Sequence, residues 1–323
     1  MNYGPNDHTQ GEHAMKKRLT TIIFLLCLGL TALWAGGTKE TADDSVRNVT
    51  VLTPYLSSVT TKDMVDSLRT KLQKQGINVT VIDTANDFSA LASRIEDTVS
   101  AKPDAMILVS ADPNLVAAQL QGAFDAGIPV LGCDSGFIDG MLVNATSDNY
   151  AMGVLIVRYL FDELMGGKGT VIALTHRPHP GVVKRCIAFD DIIKEYPDIT
   201  LITEQHVNVP NPIENARQTV ENLALANPAK GSVTAIWCAW DEPAIGATQA
   251  LMDAGRDEVI VTGVDGNSQA IALIEQGTNL KATVAQNFEG MTDLVVQTLD
   301  SLFVGEAVQP GELYAPAVLI TQE

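Results

Sequence analysis

Short apolar runs rich in β-branched residues alternate along the chain with longer stretches whose apolar positions recur every three to four residues. "VTVLTP" from Val49 precedes a helical pattern over about Thr60 to Gln75, which Gly76 ends. "INVTVID" leads to "SALASRIEDTVSA", "DAMILVS" leads to "NLVAAQLQGAFDAG", and "IPVLGC" follows. A less regular bridge, "DSGFIDGMLVNATSD", interrupts the rhythm before a long helical segment from Asn149 to Met165. The alternation then restarts, with "TVIALT", "ITLITEQH", "VTAIWCAW", "EVIVTGV" and "LKATVAQ" each followed by a helical pattern.

Strands of this kind, separated by crossover-length helices, predict parallel sheets. Two such sets joined by an irregular bridge predict an α/β protein with two Rossmann-like lobes. A helix over about Phe288 to Phe303 and a terminal "APAVLITQE" come late. They could complete the first lobe and add a strand to the second, but the pattern alone leaves that return open.

Composition narrows the function classes. The chain has 323 residues, 46% hydrophobic, with a net charge of −18. That length suits two domains, and the acidity leaves no basic footprint for nucleic acid. The first residues are not part of the fold. "MKKRLTTIIFLLCLGLTALWAGG" starts at Met15 with a cationic stretch, an apolar run from about Thr20 to Ala35 and small residues after it. This is the pattern of a secretory leader, shorter than a membrane span. Residues 1–35 are therefore expected to be leader and 36–48 a polar linker, with the mature protein secreted. Met15 is the expected start, because "MNYGPNDHTQGEHA" before it fits no leader. Cys27 has bulky neighbours, against lipid attachment. Cys133, Cys186 and Cys238 form no CxxC pair and read as buried free thiols.

In open parallel sheets, ligands bind beyond the carboxyl ends of the strands. The polar residues there are Ser110 and Asp112, Asp134, Thr175 and His176, Trp240 and Asp241, Asp265, and Gln286. Carboxylates, an amide, hydroxyls and an indole suit a small neutral polyol: carboxylates accept from hydroxyls, and an aromatic face packs on C–H surfaces. Each aspartate has a second reading as the cap of the next helix. Asp241-Glu242-Pro243 in particular looks like a helix start, with acids in the first turn, so Glu242 is expected to be structural. Trp240, at a strand end, is expected to contact ligand rather than to fill the core.

Other chemistry lacks its residues. "GGKGT" precedes a strand and has no leading glycine at phosphate-loop distance. His176 and His179 would need further ligands at suitable spacing to hold zinc, and His206 is remote in sequence. Neither GxSxG nor HExxH occurs. No catalytic residue, cofactor or metal is expected.

Several segments resemble one known family. "DAGIPVLGCDSGFIDGMLVNATSDNYAMGVL", "VVKRCIAFDDII", "CAWDEPAIGATQAL", "VIVTGVDGNSQAIALIEQG" and "LKATVAQNFEGM" are similar, in this order, to motifs of type I periplasmic sugar-binding proteins of the ribose-binding branch. The resemblance spans nearly all of the chain after Val49. It implies ligand-bonding roles for Asp134, Arg185, Asp265 and Gln286, with Ser110 where a polar residue touches ligand. Trp240 stands where that branch commonly has Asn. The first strand-to-helix loop, "YLSSVTTKD" with Tyr55 and Ser58, lacks the branch's aromatic pair, so Trp240, Tyr55 or Phe137 becomes the candidate ring-stacking surface. This points to another pentose, a related monosaccharide or a sugar alcohol rather than to ribose.

The resemblance also implies lobes of 49–147 plus 287–316 and 148–286 plus 317–323, joined by a three-crossing hinge at Ser147, Asp148, Asn287 and Pro316. Such proteins deliver ligand to a membrane ABC permease. A chemoreceptor or sensor kinase is the alternative partner, and a monomer is expected. A DNA-binding repressor would carry a helix-turn-helix where the leader stands.

Overall fold

The computed structural model describes residue 1 and residues 46–322; the expected leader with its expected start at Met15 and Cys27, most of the expected linker, and Glu323 lie outside the described residues. Two sheets of six strands each form the frame. The first contains β1 (Asn48–Thr53), β2 (Asn78–Asp83), β3 (Ala105–Val109), β4 (Val130–Cys133) and β5 (Val143–Thr146). Helices α1 (Val59–Lys74), α2 (Phe88–Ala101) and α3 (Ala117–Asp125) connect them. A helix α4 (Asn149–Arg158) then opens the second half.

The second sheet contains β6 (Gly169–Thr175), β7 (Ile199–His206), β8 (Ala235–Cys238), β9 (Ile260–Asp265) and β10 (Leu280–Ala285). Between them run α5 (Pro180–Ile192), α6 (Pro212–Ala226), α7 (Asp241–Asp253) and α8 (Ser268–Glu275). The chain ends with α9 (Phe288–Phe303), β11 (Gly311–Tyr314) and β12 (Val318–Thr321).

The strand orders are β11-β5-β4-β3-β1-β2 and β12-β10-β9-β8-β6-β7. Pairing is parallel throughout except for β12, which runs antiparallel to β10. Each half thus winds outward in both directions from a central pair, β1/β3 in one and β6/β8 in the other. A crevice opens at that reversal, beyond the carboxyl ends of the strands.

Alternation along the strands builds a core on each face of the first sheet. Val49, Val51, Ile107 and Val109 meet α1 through Met64, Leu68 and Leu72 and α9 through Met291, Val295 and Leu299. Leu52, Met106 and Leu108 meet Leu91 and Ile95 of α2 and Leu120 of α3. The late helix α9 therefore packs on the first sheet and β12 on the second, which answers the question the pattern left open. In the second half a larger core surrounds Trp237, which stacks on Phe189 with ring centroids 4.7 Å apart. Cys133, Cys186 and Cys238 are buried free thiols.

The local structure departs from the sequence reading in three places. The irregular bridge contains β5, and β11 pairs with it in parallel across more than 160 residues of chain. The long helix from Asn149 is α-helical only to Arg158 and continues as a π-helix, Tyr159–Leu164. Asp112 turns to a cap, its carboxylate accepting from the Asn114 N–H at 2.9 Å.

Three connections pass between the sheets: Thr146 to Asn149, Ala285 to Phe288, and Tyr314 to Val318. The expected hinge residues lie on them. Asp148 caps α4 by accepting from Ala151 N–H, and Asn287 caps α9 by accepting from Gly290 N–H. Pro316 lies on the connection between β11 and β12.

Candidate functional site

Residues from both halves line one cavity. Tyr55, Ser58, Thr60, Thr61, Ser110 and Asp134 come from the first; His176, His179, Val182, Arg185, Val209, Trp240, Glu242 and Asp265 come from the second. Tyr55 and Ser110 follow β1 and β3, while His176 and Trp240 follow β6 and β8. The cavity therefore lies between the two reversal points. The cavity has a volume of about 50 Å³ open to water, room for a few water molecules.

The backbone aims several of these side chains inward. Ser110, Asp134 and Asp265 all have positive φ, at 56°, 50° and 136°. Non-glycine residues seldom adopt such angles, and each costs on the order of 1–3 kcal/mol. Strain gathered at strand ends around a shared hollow is what a preorganised site requires.

Arg185 is the only cation lining the cavity among the described residues, and it is almost fully buried. Its Nε donates to Asn149 Oδ1 at 2.8 Å, and its Nη1 donates to Asp265 Oδ1 at 3.0 Å and to the Ala239 carbonyl at 2.9 Å. Gln286 Nε2 donates to the same Asp265 oxygen at 2.8 Å. Asp265 is thereby oriented from two directions. Asp134 accepts a hydrogen bond from Thr146 Oγ1 at 3.3 Å. Burial pushes its carboxyl up to about 7, with Arg185 opposing the rise. Burial also raises Asp265, again against Arg185. Buried carboxylates near one guanidinium call for further donors, and ligand hydroxyls can supply them.

The aromatic side is neutral. His176 Nδ1 lies 3.1 Å from the Val207 carbonyl, an acceptor only, so the proton is assigned to Nδ1. Nε2 then accepts from the Tyr55 hydroxyl at 3.4 Å, a contact between the two halves. Burial, with His206 adding to it, holds the His176 imidazole down to about 4. His179 caps α5, its Nδ1 accepting from Gly181 N–H at 3.1 Å. Burial, then Arg185, lowers it to about 3. Trp240 is buried beside His176, and its Nε1 donates to Glu242 Oε2 at 3.2 Å. Neither imidazole is built to carry a proton near neutrality.

Of the expected binding residues, Tyr55, Ser58, Ser110, Asp134, His176, Arg185, Trp240 and Asp265 meet at this cavity. Phe137 does not. It lines a separate depression with Asp112, Gly136, Pro180 and Lys184, and its ring packs against the core under the first sheet. Gln286 is not among the residues lining the cavity; its amide donates to the Asp265 carboxylate, which is.

Glu242, read as structural, is part of the wall as well as of the first turn of α7. Asp241 keeps the structural part: it accepts from Asn267 N–H at 2.8 Å and Thr283 Oγ1 at 2.7 Å. His206, remote in sequence, stacks on His176 with ring centroids 4.9 Å apart. The described residues contain no group of metal-ligating side chains that could hold an ion.

Comparison with known proteins agrees with this geometry. A family model described as a periplasmic binding protein domain matches residues 49–307. The chain is 28% identical to the ribose import binding protein of Bacillus subtilis (strain 168), over 96% of this chain and 100% of that protein. It is 30% identical to the D-apiose import binding protein of Actinobacillus succinogenes, over 81% of this chain and 83% of the relative. A solved ABC transporter solute-binding protein from Agrobacterium vitis, with bound allitol, superposes with a TM-score of 0.80 at 28% identity, covering 86% of this chain and 96% of that one.

Proposed function

The chain belongs to the periplasmic binding protein family, and from that membership we propose that it is the solute-binding component of an ABC importer for a small neutral polyhydroxylated ligand. The family comprises solute-binding proteins, not enzymes. The carrying observation is a cavity between the two sheets, at both reversal points, walled by carboxylates, one guanidinium, hydroxyls and an indole. Relatives named for ribose and apiose import and a neighbour holding allitol bracket the ligand class: a monosaccharide, a pentose-like sugar or a sugar alcohol.

The proposed contacts are Ser110, Asp134, Arg185, Asp265 and His176 for hydroxyls, Trp240 and Tyr55 for the C–H faces, and Ser58 at the mouth. Gln286 acts through Asp265. The halves 49–147 plus 287–316 and 148–286 plus 317–323 serve as lobes that turn about Ser147, Asp148, Asn287 and Pro316. Ligand favours closure because only the closed form brings both walls to it. A membrane permease then receives the closed protein. The relatives' names, which are import proteins, favour that partner over a chemoreceptor. The protein works in the periplasm as a monomer, reached through a leader within residues 1–35.

A thermal-shift screen of pentoses, hexoses and polyols tests the reading. A stabilising polyol is the expected result. Stabilisation by amino acids or purines with none by sugars or polyols rejects it.

A further inference from the structure

Helix α1 begins at Val59 without a cap of its own. Its N-cap, Ser58, makes no side-chain capping bond, and no acid lies in its first turn. Exposed N–H groups and a positive dipole end are thus left at the start of a 16-residue helix. The missing acceptor comes from the other half of the molecule. Glu242, in the first turn of α7, accepts from the Val59 N–H at 3.0 Å through Oε1. Its second oxygen, Oε2, accepts from the Trp240 indole N–H.

One buried carboxylate therefore serves both the cavity wall and the opposite half. Other contacts between the halves include the buried, uncharged and longer Tyr55 hydroxyl to His176 Nε2 bond at 3.4 Å. Asn86 Nδ2 to the Val209 carbonyl is exposed and uncharged, and Lys184 to Glu312 is a solvent-accessible ion pair, a class worth little.

We propose that Glu242 is a positioning residue that couples the Trp240 wall to closure, by capping α1 across the cleft. This deepens the binding-protein reading and rests on it. When the halves part, α1 loses its acceptor and the Glu242 carboxylate loses the Val59 N–H and the Ser58 hydroxyl, keeping only the Trp240 indole. When they meet around a ligand, the cap forms and Trp240 is held against the cavity by the same group. The two N–H donors sit on different oxygens, so an amide at this position cannot serve both: its single oxygen accepts from one N–H while its own N–H₂ faces the other.

Val59→Pro isolates the cap. Proline is favoured at the first helical position and lacks the N–H. Ser58 before it is already extended, at φ −75° and ψ 136°, as a residue preceding proline must be. The side chains of Glu242 and Trp240 stay unchanged. Stopped-flow release of whichever of ribose, apiose, xylitol or allitol stabilises the wild type should quicken by about 2- to 30-fold in Val59→Pro, the span of helix-cap losses. Glu242→Gln should do the same, and serves alone if the proline variant does not fold.

Hydrogen exchange at the Val59 amide should be slower in the polyol-saturated wild type than in the ligand-free protein, and Glu242→Gln should accelerate it by a similar factor in the saturated state. Release within twofold of wild type in every folded variant overturns the clasp. If no polyol binds wild type, the binding-protein reading fails and the clasp with it; if one binds and the saturated Val59 amide exchanges unchanged in Glu242→Gln, the clasp alone is overturned.

Discussion

Arg185 and Asp265 form an ion pair, Nη1 to Oδ1 at 3.0 Å, with both side chains buried: 2% and 6% of their surfaces remain exposed. One partner comes from the helix after β6 and the other from the end of β9. The pair therefore braces the wall of the cavity as well as facing its contents. Removing one partner from a buried pair leaves an uncompensated charge, at a cost of about 3–5 kcal/mol. Arg185→Ala should lose that much stability in urea unfolding, and calorimetry should show polyol binding abolished. Unchanged stability would mean that the pair is solvated in solution.

In the protein without residues 1–35, and so without Trp34, Trp240 and Trp237 divide the fluorescence between them. Trp237 is fully buried on Phe189 with no hydrogen-bond partner for its indole nitrogen among the described residues, away from the cavity lining. A ligand-induced emission change should therefore vanish in Trp240→Phe and survive in Trp237→Phe. Trp240→Ala should weaken binding by at least about 2 kcal/mol, as for a desolvated aromatic anchor.

Asp134 should leave a signature in the pH dependence of stability. Its carboxyl sits at about 7 in the folded protein, against 3.8 for the ordinary side chain. Between those values the native state holds a proton that the unfolded chain has lost. Its contribution to stability therefore falls as pH rises from about 4 to about 7 and is level above that. Other groups titrate in the same window, and the lowered His176 works in the opposite direction. The difference between Asp134→Asn and wild type isolates the effect. The variant should gain on wild type from pH 4 to pH 7 in thermal unfolding, and a flat difference would place Asp134 in a wetter setting.

Gly153 lets α4 and α5 approach closely where Arg185 is rooted. A methyl group there would lie 2.8 Å from Ala188 Cβ and 2.9 Å from Arg185 Cα. Overpacking of this kind costs about 1–3 kcal/mol, against about 1 kcal/mol gained in helix propensity. Gly153→Ala should lower the urea midpoint and weaken polyol binding together, because the shift is transmitted to the Arg185 backbone. Lower stability with full affinity would show that the helices separate without moving the guanidinium.

The cavity-lining positions legible in the sequence were those tied to strand ends. Ser110, Asp134, His176, Trp240 and Asp265 directly follow or end apolar runs, and a parallel sheet gathers such positions on one edge. Arg185 came through the resemblance of its helix. Phe137 was misplaced because an aromatic in a loop has no periodicity to say which way it turns. Glu242 was half read: acids in a first turn announce a helix start, but not that a second helix lacks a cap and lies opposite. The nearness of His206 to His176 needed the β6–β7 pairing, in which Thr175 is in register with His206. Strands β5 and β11 are four residues each, too short to show a period, and their partnership is settled by distant chain.

That last pairing has a consequence for how the molecule is made. The first sheet receives its edge strand from residues 311–314, and its core receives Met291, Val295 and Leu299 from the helix before it. A growing polypeptide emerges amino end first. The half that begins the sequence therefore stays unfinished until nearly the whole length has been synthesised, its apolar face uncovered throughout. Any cellular step that requires an unfolded substrate has that interval in which to act.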